Sequence, residues 1–571
     1  MNLNLKEVPF SRCGSYFAFS LISESFRGTK AKPGLYLRTI HGDAQSRQIM
    51  LVEVTDGNVP VPFEIKAKPE LLRLEAVEGY VEISIPEPKV IRVRGQGISL
   101  RLFSDAESAF NNAIPFNERM WIINIFSSGV NLMLTSLTGK LNVEAQWNGL
   151  KCSFIKFDLL PDETGYFECS IEEFSSSYVP NTYSEFDECV RKVKDEFEAF
   201  LDKMPVVPEK YTKARELASY INWSSIVEPN GLIGRPAMLM SKNWMINVWS
   251  WDHCFNAIAL SYKYPELAWD QLMIMFDHQD DYGAIPDSIN DRIPVWNFCK
   301  PPIHGWALKK MMENNDELMD RTSLSEVYEP LCNWTNWWFN YRDFDDDGIP
   351  QYNHGNDSGW DNSTVFSERP PVESPDLTAF LVIQMETLSH VAAILGRKAQ
   401  SRIWKQRASD LLDKLLKHSL KGNRLVALQS GTHKQISSRS LLPFVSLVLG
   451  KRLPQSVLMT MIGDLKQSVL ITEYGLATES VDSPFYESDG YWRGPIWAPS
   501  TMLMVDGLRE SGEEDLAYDI CRKFGNLCVK SGFAENFDAL KGDGLRDRAY
   551  TWTSSVFLIM MHEYLLKKEV R

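Results

Sequence analysis

The sequence predicts a mainly helical protein in which an N-terminal antiparallel β-sandwich precedes an α/α toroid, a ring of paired helices. Three observations favour this fold class. Apolar and polar residues alternate through roughly the first 175 residues, and a period of two is typical of half-buried strands. Helical periodicity dominates after about residue 209. Long loops rich in aromatic and polar residues separate successive pairs of helical segments.

Residues 1–178 are predicted to form the β-sandwich. Apolar and polar residues alternate in segments 81–85, 90–94, 98–102 and 141–145, and Gly, Pro and Asn interrupt the pattern at short intervals. Several short strands at this spacing indicate an antiparallel sandwich. No cluster of catalytic residue types stands out here, so we expect a structural or substrate-flanking domain.

Residues 179–208 are predicted to form a helical linker. Ser184 is a candidate N-cap, and the acidic residues that follow it suit the positive end of a helix dipole. Pro205 and Pro208 then break the helix. The boundary of the C-terminal domain therefore falls at residue 209.

Residues 209–571 contain twelve helical patterns joined in pairs by short turns. Six such hairpins, with functional loops on one side, predict the α/α toroid. No repeat of fixed period is apparent, which disfavours a regular solenoid. The predicted helices lie near residues 209–223, 251–263, 265–276, 302–313, 322–342, 375–396, 397–417, 438–449, 453–463, 497–511, 514–530 and 548–567.

Composition narrows the class of protein. The net charge of −15 argues against a nucleic-acid partner, which requires a basic surface. Nine scattered cysteines without a Cys-x-x-Cys motif predict neither a zinc site nor a disulfide framework, and reduced thiols suit the cytoplasm. The N-terminus lacks the features of a secretory signal, and no apolar stretch is long enough to predict a membrane span. We find no signal for the oligomeric state.

The loops of the C-terminal domain combine tryptophan with carboxylates and amides. The segment Gly359-Trp360-Asp361-Asn362-Ser363 is the centre of this pattern. Aromatic rings stack on the apolar faces of sugar rings, and carboxylates and amides bind sugar hydroxyl groups. The loops therefore predict a carbohydrate site.

Hydrolysis of a glycosidic bond needs two carboxyl groups, one as acid and the other as base or nucleophile. Asp361 and Glu535 are loop carboxylates with suitable neighbours. Asp357 is an alternative to Asp361 as the acid. Asp252 and Asp538 are alternatives to Glu535 as the base.

An acidic loop follows the predicted helix 322–342. Asp343, Asp345, Asp347 and a glycine match the first half of a calcium loop of the Asp-x-Asp-x-Asp-Gly type. The twelfth position is His354 rather than glutamate, and a distant carboxylate such as Glu373 would have to complete the site. The alternative is a solvated turn after a helix. The sequence thus leaves a structural calcium ion open, and it predicts no cofactor for the chemistry.

Five motifs in the C-terminal region resemble, in the same order, those of glycoside hydrolase family 63 and its relatives. These relatives include trehalases and bacterial mannosylglycerate or glucosylglycerate hydrolases. The resemblance covers residues from about 210 to 567. The motifs are Ser241-Lys242-Asn243-Trp244 with Trp249-Ser250-Trp251-Asp252, Lys300-Pro301-Pro302, Gly359-Trp360-Asp361-Asn362-Ser363, Tyr491-Trp492-Arg493-Gly494-Pro495-Ile496-Trp497 and Glu535-Asn536.

The resemblance implies an (α/α)6 barrel preceded by a β-sandwich, with an inverting, exo-acting α-glycosidase activity. The substrate would be a small α-glucoside or α-mannoside of the disaccharide or glycosylglycerate type. Asp361 would be the general acid and Glu535 the general base. A structural calcium near the acidic loop is known in some relatives. The expected substrate-binding residues are Trp251, Asp252, Phe255, Lys300, His304, Trp360, Tyr491, Trp492, Arg493, Gly494 and Trp497.

Two other functions remain to be compared with hydrolysis. A sugar isomerase or epimerase on an α/α barrel would use histidines as acid and base, but the chain has nine histidines and no histidine pair in the central loops. A non-catalytic carbohydrate-binding protein would lack the acid or the base. Both matching carboxylates are present, which favours an enzyme.

Overall fold

Antiparallel strands fill the N-terminal part of the computed structural model, which describes residues 1–23, 32–42, 47–105 and 110–566. The predicted order, an N-terminal antiparallel β-region followed by a helical region, is confirmed. The strands of the β-region are β1 (Phe17–Ile22), β2 (Gly34–Thr39), β3 (Arg47–Asp56), β4 (Val59–Pro60), β5 (Glu64–Lys68), β6 (Leu71–Glu75), β7 (Tyr80–Glu87), β8 (Val90–Gln96), β9 (Ser99–Ser104), β10 (Asn112–Pro115), β11 (Met120–Ile125), β12 (Val130–Thr138), β13 (Lys140–Glu144), β14 (Ile155–Leu160) and β15 (Tyr166–Phe174).

The strands form two antiparallel sheets that share one hydrophobic core. One sheet has the order β1-β2-β3-β9-β14-β13, with β4 paired to β3. The other has the order β10-β11-β12-β15-β8-β7-β6-β5. The sequence predicts half-buried strands, but β7 is buried on both faces, because the helix at residues 186–203 packs against it. Glu82 in β7 is accordingly buried, and it is paired with Arg73 and Arg94.

The helical region begins with a linker helix and continues to the end of the described chain. The helices are α1 (Phe186–Lys203), α2 (Thr212–Ser225), α3 (Asp252–Ser261), α4 (Pro265–Met273), α5 (His304–Asn314), α6 (Arg321–Tyr341), α7 (Pro375–Ile394), α8 (Lys398–His418), α9 (Gln455–Gln467), α10 (Ala498–Glu510), α11 (Glu514–Ser531) and α12 (Thr551–Met560). The loops also contain short strands. A three-stranded sheet has the order 248–249, 288–289, 294–295, and two-stranded pairs join 226–227 with 237–238, 372–373 with 428–429, 420–421 with 424–425, and 536–537 with 544–545.

Two local predictions are corrected. The N-cap of α1 is Glu185 rather than Ser184, and its side chain makes no capping hydrogen bond. The helix predicted at residues 438–449 is a 3₁₀ segment, Leu442–Arg452, interrupted at Gly450. Gly450 has a φ of 52°, and a Cβ there would lie 2.5 Å from Cβ of Glu510. The close approach of the end of α10 at Glu510 therefore requires glycine at this interruption.

Six elements of the helical region contact one another in a closed cycle. In chain order they are α3, α5, α7, the 3₁₀ segment 442–452, α10 and α12, and α12 returns to α3. Consecutive helices also pair, as α3 does with α4, α7 with α8 and α10 with α11. The loops that connect these elements carry the aromatic and acidic motifs.

One described helix, α7, is as long and apolar as a helix that crosses a membrane. Most of its apolar window, 72%, is buried inside the protein. It is the only described helix that meets this criterion, and core helices commonly meet it as well.

The β-region and the helical region meet at a buried lysine. Lys242 Nζ donates to Ser11 Oγ (3.1 Å) and to the carbonyl oxygens of Arg12 (3.2 Å) and Ile226 (3.3 Å). It also contacts the carbonyl of Ser15. Burial lowers the pKa of Lys242 to about 7. Lys242 therefore joins the N-terminal segment to the helical region rather than lining a pocket.

His41 makes a second contact between the two regions. Its Nδ1 lies 2.7 Å from Asp291 Oδ2 and its Nε2 lies 2.8 Å from Glu173 Oε1. The ring stacks on Tyr16 with 4.0 Å between centroids. Burial lowers the pKa of His41, but the two carboxylates outweigh this effect, and the net pKa is raised.

Replacing His41 with glutamine is expected to destabilise the protein most strongly at low pH. The stabilisation from protonated His41 is complete below its unfolded-state pKa of about 6.5 and is lost as pH rises through the higher folded-state pKa. Removing one partner of a buried ion pair costs about 3 kcal/mol. The measurement is the free energy of unfolding against pH, with His390→Gln on the exposed face of α7 as the control. A loss that is the same at all pH values would contradict the pairing.

Candidate active site

Asp361 lies in the long loop between α6 and α7. A 3₁₀ turn at Gly355–Ser358 precedes it. The neighbouring Asn362 fixes the loop, since its Nδ2 donates to the carbonyl oxygen of Gly490 (3.0 Å) and its Oδ1 accepts from the backbone N of Trp492 (2.9 Å). The Asp361 loop is thereby attached to the loop that carries Tyr491 and Trp492, although 130 residues separate Asn362 from Trp492.

Glu535 is a buried residue in the loop between α11 and α12. Two residues later, Phe537 exchanges backbone hydrogen bonds with Ile496 (2.7 and 3.0 Å), which places Glu535 beside the 491–497 loop. The backbone N of Glu535 donates to the carbonyl oxygen of Asp547 (2.7 Å). The Asp547 carboxylate in turn accepts from Ser241 Oγ and from Asn243 Nδ2. The motif Ser241-Lys242-Asn243 therefore holds the Glu535 loop in place through Asp547.

Tyr491 lies near the carboxyl groups of both Asp361 and Glu535. Burial raises the pKa of its hydroxyl well above the ordinary value, and the charges of Glu535, Asp361 and Asp252 raise it further. Arg546 acts in the opposite direction, with its guanidinium 4.8 Å from the ring centroid. Tyr491 has a φ of 64°, an uncommon conformation for a bulky residue. Strained backbone of this kind is frequent at functional sites.

Asp361 is half-buried, and burial raises the pKa of its carboxyl group. Lys300 and His354 oppose this shift without cancelling it. Lys300 is buried and binds Asp287 Oδ1 (3.0 Å) and the carbonyl oxygen of Asn356 (2.9 Å). Asp252 is also buried, and burial raises the pKa of its carboxyl well above the usual range.

Four buried tryptophans pack together next to Asp361. The ring of Trp492 stacks on Trp497 (4.0 Å between centroids, 5° between planes), lies 4.7 Å from Trp360, and lies 6.3 Å from Trp251. The loops at residues 251, 360 and 491–497 thus pack on one another through their aromatic rings. This packing fixes the position of Asp361 relative to the Tyr491 loop.

Replacing Gly359 with alanine is expected to disrupt this packing. Gly359 has a φ of 73°, and a Cβ there would lie 2.5 Å from Cζ2 of Trp251. The left-handed conformation costs about 1–2 kcal/mol for a non-glycine residue, and overpacking adds about 1–3 kcal/mol. Thermal and denaturant unfolding measure the loss of stability.

The matched control is Gly512→Ala, which has a φ of 88° and no atom within 4 Å of the new Cβ. This control carries the conformational cost without the clash. We expect it to lose about 1–2 kcal/mol of stability and to keep its activity. Equal effects of the two substitutions would show that contact with Trp251 is unimportant.

A cavity of about 480 Å³ opens at Asp361. Asp361 and Arg493 are the predicted residues in its lining, which also includes His354, Phe366 and Phe485. The last three residues are missed by sequence reasoning. His354 is identified only as the twelfth position of the acidic loop, and Phe366 and Phe485 belong to no motif.

The alternative carboxylates have structural partners. Asp357 is buried, and its oxygens accept from the Arg342 guanidinium (3.1 Å) and from the backbone N of Cys299 (3.1 Å). Asp538 Oδ1 caps a turn through the backbone N of Leu540 (2.8 Å). These contacts explain both residues without catalysis.

Phe255 and His304 lie beneath the site. Both are fully buried. The Phe255 ring is 6.1 Å from that of Trp251, and the His304 ring is 5.2 Å from those of His253 and Phe276. Contact of Phe255 and His304 with a sugar stays a prediction, and in this structure their rings pack against neighbouring aromatic rings. Gly494, also buried, has a φ of 144° and lies against Tyr486 and the carbonyl of Glu487.

The acidic loop brings its three aspartates together. Oxygen atoms of Asp343, Asp345 and Asp347 lie within 4.8 Å of one another. Asp347 also lies near Glu373, as a completed calcium site would require, but two histidines lie in the same cluster. The calcium ion stays a prediction.

Two carboxyl groups from separate loops of a helical domain, both near Tyr491, are the kind of arrangement that glycoside hydrolases use, although Glu535 does not line the cavity at Asp361. A family model described as the mannosylglycerate hydrolase MGH1-like glycoside hydrolase domain matches residues 245–553. The chain belongs to this family and is a glycoside hydrolase. The resemblance to glycoside hydrolase family 63 is confirmed.

Curated relatives and solved structures agree with this assignment. Mannosylglycerate hydrolase MGH2 of Selaginella moellendorffii is 21% identical over 397 residues, covering 54% of this chain and 79% of the relative. The mannosylglycerate hydrolase of Rubrobacter radiotolerans is 21% identical over 431 residues, covering 58% and 97%.

Two solved structures share the fold. A GH63 mannosylglycerate hydrolase of Thermus thermophilus in complex with glucose has a TM-score of 0.51 at 20% identity and covers 61% of this chain and 98% of its own. A bacterial glucoamylase complexed with acarbose has a TM-score of 0.61 at 12% identity and covers 99% and 96%. The glucoamylase comparison includes the β-region, so the β-region and the helical region together share the fold of that structure.

Proposed function

We propose that the protein is an inverting, exo-acting α-glycosidase that hydrolyses a small α-mannoside or α-glucoside of the glycosylglycerate type. The observation that carries this proposal is that the charges of Asp361 and Glu535 both act on the Tyr491 hydroxyl, next to a cavity that Asp361 and Arg493 line. The names of the curated relatives, mannosylglycerate hydrolases, support the substrate class.

We further propose that the helical region is an (α/α)6 barrel and the β-region a sandwich. The closed cycle of six contacting elements would form the inner ring, and the helices paired with them would form the outer ring. The loops at one end of the ring would then hold Asp361 and Glu535. The two antiparallel sheets with a shared core support the sandwich.

In the proposed mechanism Asp361 protonates the glycosidic oxygen as the bond to the anomeric carbon breaks. Glu535 removes a proton from a water molecule that attacks this carbon from the opposite face, which inverts its configuration. Burial raises the pKa of Asp361 and so favours the protonated acid. Both carboxyl groups exchange their protons with solvent after product release. This chemistry needs no metal or redox cofactor.

The charge around the cavity favours an acidic leaving group such as glycerate. The Arg493 guanidinium lines the cavity, and its Nε is a buried donor with no hydrogen-bond partner among the described residues. An unsatisfied buried donor is costly, and a carboxylate would satisfy it. The other Arg493 nitrogen, Nη2, is held by Glu487 (2.6 Å). A hydroxyl group of a neutral disaccharide would accept from Nε more weakly than a carboxylate.

Proton NMR of the released sugar tests the proposal. The substrates are 2-O-mannosylglycerate, 2-O-glucosylglycerate and kojibiose at equal concentration. We expect turnover of a glycosylglycerate with the β-anomer appearing first. An α-anomer appearing first would show retention and exclude Glu535 as a base. Faster turnover of kojibiose than of both glycosylglycerates would contradict the role of Arg493.

A further inference from the structure

Four side chains from four separate segments converge beside the acidic loop, outside the catalytic cavity. Asp347 follows α6, Glu373 lies in the short strand before α7, His418 ends α8, and His433 lies in the loop after the strand at 428–429. One ligand atom from each lies within 4.8 Å of all the others. We name these four residues the histidine–carboxylate cluster.

The distances within the cluster suit a shared cation. His418 Nε2 lies 2.6 Å from Glu373 Oε2 and its other ring nitrogen, Nδ1, lies 3.4 Å from Asp347 Oδ2, so one of the two nitrogens would bind the ion. His433 Nε2 lies 3.5 Å from Asp347 Oδ2 and 3.9 Å from Glu373 Oε2. It also lies 2.9 Å from Asp345 Oδ2, and it would exchange Asp345 for the ion. Tetrahedral bonds of about 2.0–2.2 Å to a zinc-type ion place neighbouring ligand atoms about 3.3–3.6 Å apart. The four ligand atoms lie within 4.8 Å of one another, so they would have to draw closer to complete such a site.

Glu373 provides an independent indication of a ligand. It is 0% exposed, and its Oε1 has no hydrogen-bond partner in the part of the chain that the structure describes. His418 contacts the other oxygen of Glu373, Oε2, so only Oε1 lacks the partner that a buried polar atom normally has, and a metal ion would supply one. The nearby Lys414 Nζ donates to the backbone carbonyl of Asp347 (3.1 Å) rather than to a carboxylate.

We propose that Asp347, Glu373, His418 and His433 bind a divalent transition-metal ion of the zinc type. Calcium prefers six to eight oxygen ligands, whereas this cluster offers two imidazoles, which suit zinc and its first-row neighbours. Oxygens of the acidic loop are also engaged by backbone donors, Asp343 Oδ2 by Gly348 N (2.9 Å) and Asp345 Oδ2 by Gly431 N (2.8 Å). Asp347 Oδ2 stays directed at the histidines.

The metal would brace the segment that carries Asp361. Asp347 and Glu373 stand at the two ends of this segment. Next to Glu373, Val372 exchanges backbone hydrogen bonds with Tyr352 (2.8 and 2.9 Å). A metal that joins the two ends to α8 and to His433 restricts the loop without touching the substrate. The site is therefore structural, and it does not depend on the proposed reaction.

Metal content and thermal unfolding test the site directly. The full-length protein is stripped with a chelator and titrated separately with Zn²⁺ and Ca²⁺. We expect one tightly bound Zn²⁺ per chain and an increase of about 5 °C in the unfolding midpoint. Substitution by Co²⁺ should give visible ligand-field bands that report nitrogen ligands. Stabilisation by Ca²⁺ but not by Zn²⁺, or no response to either ion, would overturn the proposal.

Variants separate this site from a metal-free network of ion pairs. His433→Gln is the first choice, because the side chain is 42% exposed and its loss should not prevent folding. We expect it to lose the Zn²⁺ response and the Co²⁺ bands, and His418→Gln to do the same. His390→Gln, on an exposed part of α7, should keep both. Zn²⁺ binding that survives both cluster substitutions would place the metal elsewhere.

Discussion

Replacing Asp361 with asparagine is expected to lower kcat/KM for a natural glycoside by about 10²–10⁴-fold, the usual contribution of a general acid. Asparagine keeps the size of the side chain but cannot supply a proton to the leaving oxygen. A substrate with an activated leaving group, such as a glycosyl fluoride, does not need this proton. Its hydrolysis should therefore fall much less.

The pH profile gives a second measure of the same role. Wild-type activity should fall as pH rises through the raised pKa of Asp361, because only the protonated form is the acid. For the activated substrate this alkaline decrease should disappear in Asp361→Asn. Asp413→Asn, on the exposed face of α8, is the control. Equal impairment on natural and activated substrates would contradict the assignment of Asp361 as the acid.

Replacing Glu535 with glutamine is expected to slow the hydrolysis of natural and activated substrates alike. The base acts on the attacking water, so the quality of the leaving group cannot compensate for its loss. We expect a decrease of about 10²–10⁴-fold in kcat. Because Glu535 is buried and its loop is held through the backbone, the glutamine variant should keep its fold.

A measurement of substrate binding distinguishes the loss of catalysis in Glu535→Gln from a loss of structure. Calorimetric titration of Glu535→Gln with substrate should give an affinity close to the KM of the parent protein. Glu163→Gln, in an exposed turn of the β-region, serves as the control. Full activity in Glu535→Gln would exclude its role as base and would return attention to Asp252. Loss of both binding and activity would indicate that Glu535 holds the sugar.

The sequence allowed the order of the two regions and both catalytic candidates to be predicted, because strand period, helix period and short motifs are local signals. The contacts between loops are not local. Asn362 meets Trp492 and Phe537 meets Ile496 only after the helices have packed. For this reason Arg546, which covers Tyr491, and the cavity residues Phe366 and Phe485 could not be predicted.

Local patterns also leave out tertiary contacts. The apolar run near residue 445 has helical period, but it forms a 3₁₀ segment, which is interrupted at Gly450 where Glu510 approaches. The acidic loop matches half of a calcium motif, and the calcium ion stays a prediction; His418 and His433 come to this loop from distant segments. Lys242 belongs to a family motif, yet its contacts lie in the N-terminal segment.

Lys242 also limits how the protein can be divided. Its ammonium group is buried and donates its hydrogen bonds largely to Ser11, Arg12 and Ser15. A fragment that starts at residue 209 would lose those acceptors together with the segment that covers this group, and would keep the carbonyl oxygen of Ile226. The flanking Ser241 and Asn243 hold Asp547, on which the Glu535 backbone depends. We therefore expect that the catalytic region cannot be separated from the first residues of the chain without loss of its structure.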